Sequence, residues 1–268
     1  MNKISTILIF IMLVIHVHAQ PKDSLALYKK FFDISKNYQY APMQATIKAI
    51  KSTNFINAPT DTATVMGNFF VHPQSSYMQF GEVEQFVTDS LVVMVSSNLK
   101  QIVVIHISPE EAEKYKFKIG TVLPDSSFKP FMAKYTIETT TGANGNQIIN
   151  LLSRQFVLGT KMPKESIQLV YENSTSQPKE VTTIQRGIVE LSNAIVAKQP
   201  QVSKFKIAIE GGNNNYYIKE QTEKYVFLKI NHDANITAPV LLSARLVKTG
   251  NDEFEPAKGY EHYRISKQ

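Results

Sequence analysis

The chain has 268 residues, no cysteine and a formal net charge of +6. Without cysteine there are no disulfides, no thiol chemistry and no acylated lipoprotein cysteine, so a buried core must stabilise the fold. The basic residues form no long block, which argues against a nucleic-acid-binding face and favours a mildly basic, solvated surface.

The N-terminus has the pattern of a cleavable signal peptide at residues 1–19. A lysine precedes an apolar run from Ile4 to Val17, which ends in the Val-His-Ala sequence of a signal peptidase site. The alternative is a retained membrane anchor, but the run is shorter than the roughly 20 apolar residues of a spanning helix. We expect cleavage after Ala19 and a mature protein that is soluble, periplasmic or secreted, and without a transmembrane segment.

A helix is predicted at residues 23–36, because its apolar residues recur at three- and four-residue spacing and form a wide apolar face. After it, the pattern changes to short runs of β-branched and aromatic residues separated by Gly, Asn, Asp, Ser and Pro. This change predicts an antiparallel sheet. The clearest strands are at 45–52, 64–72, 76–80, 91–95 and 101–107.

Between residues 108 and 191 the sequence predicts one short helix and further strands. Ser108-Pro-Glu-Glu111 places serine as the N-cap, proline at the first helical position and glutamate at the third. Gly142-Ala-Asn-Gly145 is a strong turn signal between two of the strands. These strands are predicted at 134–140, 147–156, 165–171 and 180–191.

A helix followed by a particular order of strands and turns carries a family resemblance. After the helix at 23–36, the chain has a strand leading to Pro73, an aromatic at Tyr77, an aspartate turn at Asp89, the apolar strand 91–95 and a short loop ending in Gln101. Ser166–Tyr171 followed by 178–181 forms a similar later pair of strands. This order resembles the periplasmic lipoprotein-carrier (LolA-like) superfamily over about residues 23–190.

The resemblance implies both a fold and a ligand. It implies a mainly β fold with a few helices (α+β), in which a curved antiparallel half-barrel sheet is capped by the N-terminal amphipathic helix. The enclosed hydrophobic cavity would suit acyl chains. The chain departs from the family pattern at His72, where the family has an arginine that takes part in lipoprotein handling. It also departs at Ser90, where glycine is usual, and at 92–94, which lack the family's aromatic.

The candidate ligand-binding residues lie on the strands around Pro73. His72 is chosen because it stands at the family's functional position, and its alternative role is that of an exposed strand-terminal residue. The apolar candidates suit a lipophilic cavity, although a closed, dry core uses the same residue types. The predicted ligand-binding residues are Met66, Phe70, His72, Met78, Phe80, Val93 and Val95.

Residues 199–268 lie beyond the resemblance and are predicted as a C-terminal β-rich extension of a domain at 20–198. Pro200 marks the boundary. The extension is either a small appendage or the closing strands of a larger sheet, and its edges could pair with an envelope protein. Its strands are predicted at 204–210, 216–219, 225–231, 240–248 and 260–265, with turns at 211–215 and 250–252.

No recognisable catalytic motif is present. Metalloprotease, nucleophile-elbow and phosphate-loop patterns are missing, and the histidines of the mature chain are isolated. His232 with Asp233 has no third metal ligand at a fixed spacing. We therefore predict no enzyme activity, no cofactor and no metal. The predicted function is an exported, noncatalytic binding or carrier protein for an acyl chain or a lipoprotein-like ligand; the alternative is a structural or interaction subunit of a cell-envelope assembly.

Overall fold

The computed structural model of the chain describes residues 24–36, 41–115, 128–142, 145–208, 215–250 and 253–267. In these residues the protein is mainly β, with one 13-stranded sheet and a few helices. The sheet is not closed into a barrel, and this confirms the predicted α+β half-barrel. The predicted signal peptide lies outside the described residues, as do parts of the predicted turns at 142–145, 211–215 and 250–252.

The helices are short and the strands vary in length. The α-helices are α1 Ser24–Lys36, α2 Pro109–Tyr115, α3 Phe128–Lys134 and α4 Asn193–Lys198, and 3-10 helices span Pro59–Asp61, Pro200–Phe205 and Leu242–Ala244. The strands are β1 Met43–Thr53, β2 Ala63–His72, β3 Ser75–Phe80, β4 Val83–Val87, β5 Leu91–Ser96, β6 Gln101–His106, β7 Tyr135–Thr141, β8 Gln147–Ser153, β9 Glu165–Tyr171, β10 Pro178–Glu190, β11 Lys206–Ile207, β12 Tyr216–Asn231, β13 Leu246–Lys248, β14 Phe254–Pro256 and β15 Arg264–Lys267.

The strand order of the sheet is β15-β6-β5-β4-β3-β2-β1-β12-β10-β9-β8-β7, and β11 pairs with β12. All neighbours are antiparallel except β15, which pairs with β6 in parallel. β13 and β14 form a separate two-stranded sheet. The chain therefore builds two antiparallel meanders, β1–β6 and β7–β10, which β12 joins in the middle.

Most elements predicted up to residue 191 are confirmed; two elements were not predicted and one predicted strand is too long. The helix predicted at 23–36 is α1, and the predicted cap forms at α2, where the Glu111 carboxylate accepts a hydrogen bond from the Ser108 amide at 2.9 Å. β4 and α3 were not predicted. The strand predicted at 147–156 ends at Ser153, because a loop follows it.

The strands predicted at 204–210 and 240–248 are largely wrong. In the described part of the first, residues 204–208, a 3-10 helix at Pro200–Phe205 leaves only the two-residue β11, while a second one at Leu242–Ala244 leaves only β13 in the other. In the first of these helices Val202 is buried, without the residue alternation of a strand.

The two strands predicted at 216–219 and 225–231 are one 16-residue strand, β12. It pairs with β1 along one side and with β10 along the other, for example at Ala49–Tyr225 and Val181–Tyr225. Residues from the predicted extension thus supply the strand at the middle of the sheet. Backbone hydrogen bonds cross the predicted domain boundary at 198/199 along this strand, while the boundary itself stays a prediction.

The sheet curves around α1. Six strand spacings of about 4.8 Å separate β2 from β7, whereas a 13-residue helix is only about 20 Å long. Val71 of β2 and Tyr135 of β7 nevertheless belong to one core cluster with Tyr28 and Ile34 of α1. We call the face that α1 covers the inner face and the opposite face the outer face.

The described residues between 232 and 263, which we call the C-terminal segment, cover the outer face at the other end of the sheet. Phe70, Tyr77 and Phe86 of β2–β4 pack there in a buried cluster with Leu246 and Tyr263. A smaller cluster on the inner face joins α2 to β4 and β5. The β2–β6 end of the sheet is therefore covered on both faces, whereas α1 covers the inner face toward β7.

Candidate ligand-binding site

α1 and α3 meet over the inner face through aromatic rings. The Phe131 ring of α3 stacks on Phe31 at 5.8 Å between ring centroids and meets Phe32 edge-on at 5.2 Å. It also lies 4.7 Å from the ring of Tyr135, at the start of β7. We call α1 and α3 together the lid, because their shared aromatic cluster covers the apolar centre of the inner face.

A polar network attaches the lid to the sheet at β7. The Tyr28 hydroxyl donates to the Tyr135 carbonyl at 2.7 Å, and Arg154 Nε donates to the same oxygen at 3.2 Å. Burial raises the pKa of Tyr28, although Arg154 works against this, so the hydroxyl keeps its proton and remains a donor. The Glu165 carboxylate accepts hydrogen bonds from Tyr135 Oη and Lys134 Nζ, both at 2.7 Å. Hydrogen bonds thus hold this end of the lid to the sheet.

Beneath the lid the inner face is apolar from β2 to β8. Met43, Phe69 and Leu169 are fully buried, and Tyr171 lies under Lys30 of α1, whose Nζ is 4.8 Å from the ring centroid. Apolar side chains that are only half-buried pack against this core, and we call this set the margin of the lid. They are Phe32, Ala41, Met78, Phe80, Met132, Ile137, Ile167, Val181, Tyr225 and Ile230.

Gly67 makes room for two rings at this margin. A Cβ at this position would lie 2.6 Å from the Phe69 ring and 2.9 Å from the Phe80 ring. We expect Gly67→Ala to lower the free energy of unfolding by about 1–3 kcal/mol, because it overpacks the inner face. Chemical denaturation measures the change. The control is Gly187→Ala on β10, where nothing lies within 4 Å of a new Cβ; an equal loss in both variants would contradict the overpacking.

The structure divides the seven predicted ligand-binding residues between the two faces. Strand alternation places Met78 and Phe80 on the inner face, where both pack against the core cluster under the lid. Phe70, Val93 and Val95 lie on the outer face and are buried under the C-terminal segment. These residues do not line one common surface, and a ligand at any of them stays a prediction.

The remaining two predicted residues, Met66 and His72, also point to the outer face. Met66 is exposed at 45%. The His72 ring is half-buried and lies parallel to that of Phe70, with 6.3 Å between centroids. His72 thus ends β2 on the face opposite the lid, but it is half-buried and not exposed, and its role in binding stays a prediction.

A buried ion pair lies at the far end of the inner face, and the sequence did not indicate it. Lys219 Nζ on β12 is 2.7 Å from Asp61 Oδ1, and both side chains are almost fully buried. Asp61 Oδ2 also accepts the amides of Asn57 and Ala58, at 2.8 and 3.0 Å. Although burial works to raise the pKa of Asp61, the hydrogen bonds from Lys219 and these amides hold it below its ordinary value.

A second ion pair fastens the C-terminal segment to the outer face. Arg245 makes two hydrogen bonds to Glu84 of β4, from Nε to Oε2 at 2.6 Å and from Nη2 to Oε1 at 2.9 Å. The Tyr77 hydroxyl donates to Glu84 Oε1 at 3.3 Å, and Tyr260 lies under the guanidinium at 4.8 Å. The hydrogen bond to Glu84 raises the pKa of Arg245 further, and the arginine remains charged. We call this group the clasp.

The chemistry-bearing side chains are dispersed. His106 lies near the ring of Phe254, His232 Nδ1 is 3.1 Å from the Pro42 carbonyl oxygen, and His262 meets the Tyr263 ring edge-on. Among the described residues, no three His, Asp or Glu side chains come together where they could hold a metal ion. Within the same residues, no helix has the length and apolar character needed to cross a membrane.

No protein-family model and no curated protein matches the chain. Among solved structures, it is similar to an uncharacterized conserved protein from Thermus thermophilus, with 10% identity, a TM-score of 0.37, and coverage of 90% of this chain and 98% of that one. A LolA superfamily protein from Nitrosomonas europaea gives 6% identity, a TM-score of 0.26, and coverage of 78% and 93%. The structure of MucB has 9% identity to this chain and a TM-score of 0.35, and the match covers 89% of this chain and 66% of MucB. One of these structures carries the name of the superfamily that the sequence resembles, and the likeness is distant.

Proposed function

We propose that this chain is an exported, noncatalytic binding protein that shelters a lipophilic, acyl-chain-like ligand between the lid and the inner face of the half-barrel. The observation that carries the proposal is the construction of the lid. Two short helices cover an apolar curved face through ring contacts, and half-buried apolar side chains surround them. Such a cover can move outward without breaking the backbone hydrogen bonds of the sheet.

The margin of the lid has the chemistry that an acyl chain requires. Met78, Met132 and Phe80 are half-buried there, and methionine adapts its shape to an irregular apolar ligand. Lys30 of α1 lies above the ring of Tyr171, which belongs to the core cluster that these side chains pack against. A chain that enters beside α1 would therefore meet apolar contacts for its methylene groups and a cation for an acidic head group.

Binding of a fluorescent polyene fatty acid to the purified, exported protein tests this function. We expect saturable binding that unlabelled fatty acid displaces, and native mass spectrometry that shows a lipid carried through purification. Met78→Gln is expected to weaken probe binding about tenfold, because a polar group replaces an apolar contact. Met66→Gln is the matched control, since Met66 lies on the outer face of the neighbouring strand.

Two results would contradict the proposal. The first is the absence of both a copurifying lipid and saturable probe binding. The second is equal weakening in the two methionine variants, which would place the ligand away from the inner face.

A second candidate function is that of an interaction subunit of an envelope assembly. The observation that favours it is the position of β15, which forms an edge of the sheet with only β6 beside it in the described part of the chain. An edge strand can accept a strand from a partner. Crosslinking in intact envelopes tests this function: recovery of the protein without a partner at residues 264–267 would count against it.

A further inference from the structure

The loop between β8 and β9, residues 154–164, exposes three large apolar side chains. Phe156, Leu158 and Met162 are 52%, 66% and 46% exposed. Single exposed apolar residues are ordinary on a protein surface, whereas several in one short loop indicate a contact surface. These residues take no part in the lid or in the clasp.

Internal hydrogen bonds hold this loop in shape. Val157 is buried and its amide donates to the Met162 carbonyl at 2.9 Å, while the Met162 amide donates to Thr160 Oγ1 at 3.0 Å. At the base, the Lys164 amide donates to the Gln155 carbonyl at 2.8 Å. The exposed side chains are therefore presented by an ordered support, which lowers the entropic cost of binding.

The loop is also basic. Between residues 154 and 164 the chain has Arg154, Lys161 and Lys164 and no acidic residue. All three basic residues are exposed. Gly159, with φ of +74°, turns the chain at the tip between Leu158 and Lys161. Exposed apolar side chains and exposed lysines thus lie on one short loop, and Arg154 stands at its base, where its Nε donates to the Tyr135 carbonyl.

We propose that this loop docks the protein on the surface of a bilayer that contains anionic lipid. The apolar side chains enter the boundary between head groups and acyl chains, and the cations pair with lipid phosphates. A bilayer accepts exposed apolar side chains of a surface loop without a complementary groove, and its negative surface matches the charge of the loop. This inference rests on the loop alone and does not depend on the proposed function.

The loop adjoins the lid. Arg154 donates to the Tyr135 carbonyl, which also accepts the Tyr28 hydroxyl of α1. Docking through the loop would therefore bring this end of α1 close to the lipid surface.

Cosedimentation with vesicles tests the docking. The protein is purified after export, its N-terminus is determined by mass spectrometry, and it is mixed with vesicles of phosphatidylethanolamine and phosphatidylglycerol. Leu158→Asp is expected to lower the partition coefficient about tenfold or more, because it removes an inserted apolar group. Lys161→Gln with Lys164→Gln is expected to lower it roughly tenfold at low salt, with a smaller difference at high salt. The matched control is Leu99→Asp, in the turn between β5 and β6, where Leu99 is 72% exposed.

A gain of signal provides a second measurement. The chain contains no tryptophan, so Leu158→Trp creates a single reporter whose emission should shift to the blue on these vesicles, while Leu99→Trp should not respond. The proposal is overturned if the unchanged protein does not bind these vesicles, or if Leu158→Asp binds them as well as the unchanged protein. It is also overturned if the Leu99 variants behave like the Leu158 variants. Equal binding to vesicles of phosphatidylcholine alone would overturn the requirement for anionic lipid.

Discussion

Replacing Lys219 with methionine is expected to lower the free energy of unfolding by about 3–5 kcal/mol at neutral pH, because it leaves the Asp61 carboxylate buried without its cation. Urea denaturation measures the loss. The matched control is Lys224→Met on the same strand, whose ion pair with Glu180 at 2.9 Å is much more exposed. Surface pairs of that kind contribute about 0–1 kcal/mol, so a comparable loss in the control would contradict the argument.

The effect of Lys219→Met should depend on pH. In the unchanged protein the pKa of Asp61 lies below its ordinary value. The stabilisation by the ionised carboxylate is therefore complete above the unfolded pKa of about 3.9 and is lost as the pH falls through the folded pKa. In the variant the Asp61 carboxyl is still buried but has no cation beside it. The difference in free energy of unfolding between the two proteins should therefore be largest at neutral pH and should shrink below about pH 4. A deficit that stays constant down to pH 3 would show that packing, rather than charge, is responsible.

Arg245→Ala is expected to cost about 3 kcal/mol, since Glu84 loses two charge-assisted hydrogen bonds while remaining mostly buried. Arg245→Lys should recover only part of the loss, because an ammonium cannot reproduce the two-pronged contact. Arg264→Ala, at an exposed site on β15, is the control and should change stability by less than about 0.5 kcal/mol.

The region that loses protection in Arg245→Ala shows whether the clasp holds the C-terminal segment or stabilises the whole protein. Limited proteolysis and hydrogen exchange of Arg245→Ala should show faster cleavage and exchange in residues 232–263, before any change in β7–β10. The combined change of Glu84→Leu with Arg245→Met should cost less than the sum of the single changes, since neither charge is then left unpaired. Additive losses would mean that the two groups act independently.

The sequence predicted the meanders well because their signals are local. Short runs of β-branched, aromatic and other apolar residues mark β2, β5 and β6, and the Ser108 capping box marks α2. β4 was missed because Glu84, which is polar but lies at a buried position, interrupts its pattern. That residue is buried only because Arg245, far away in the chain, pairs with it.

The candidate site was harder to predict than the fold. The apolar character of Phe70 and Met78 predicts that each lies on a buried face of the sheet. At the β2–β6 end, however, both faces of the sheet are buried. An apolar pattern in the sequence does not show whether a residue packs under the helices of the inner face or under the C-terminal segment. Lys219 and Asp61 meet because β12 joins the sheet beside β1, and no spacing in the sequence encodes that neighbour.

The position of β12 has a consequence for the order in which the molecule assembles. The chain is synthesised from its N-terminus, so β1 and β10 exist before the strand that lies between them. Until residues 216–231 are available, each meander leaves an edge strand of 11 or 13 residues unpaired. Long open edges of this kind promote aggregation. A chain that had folded its two meanders without residues 216–231 would therefore expose both edges, and a chaperone would have most to protect in that form.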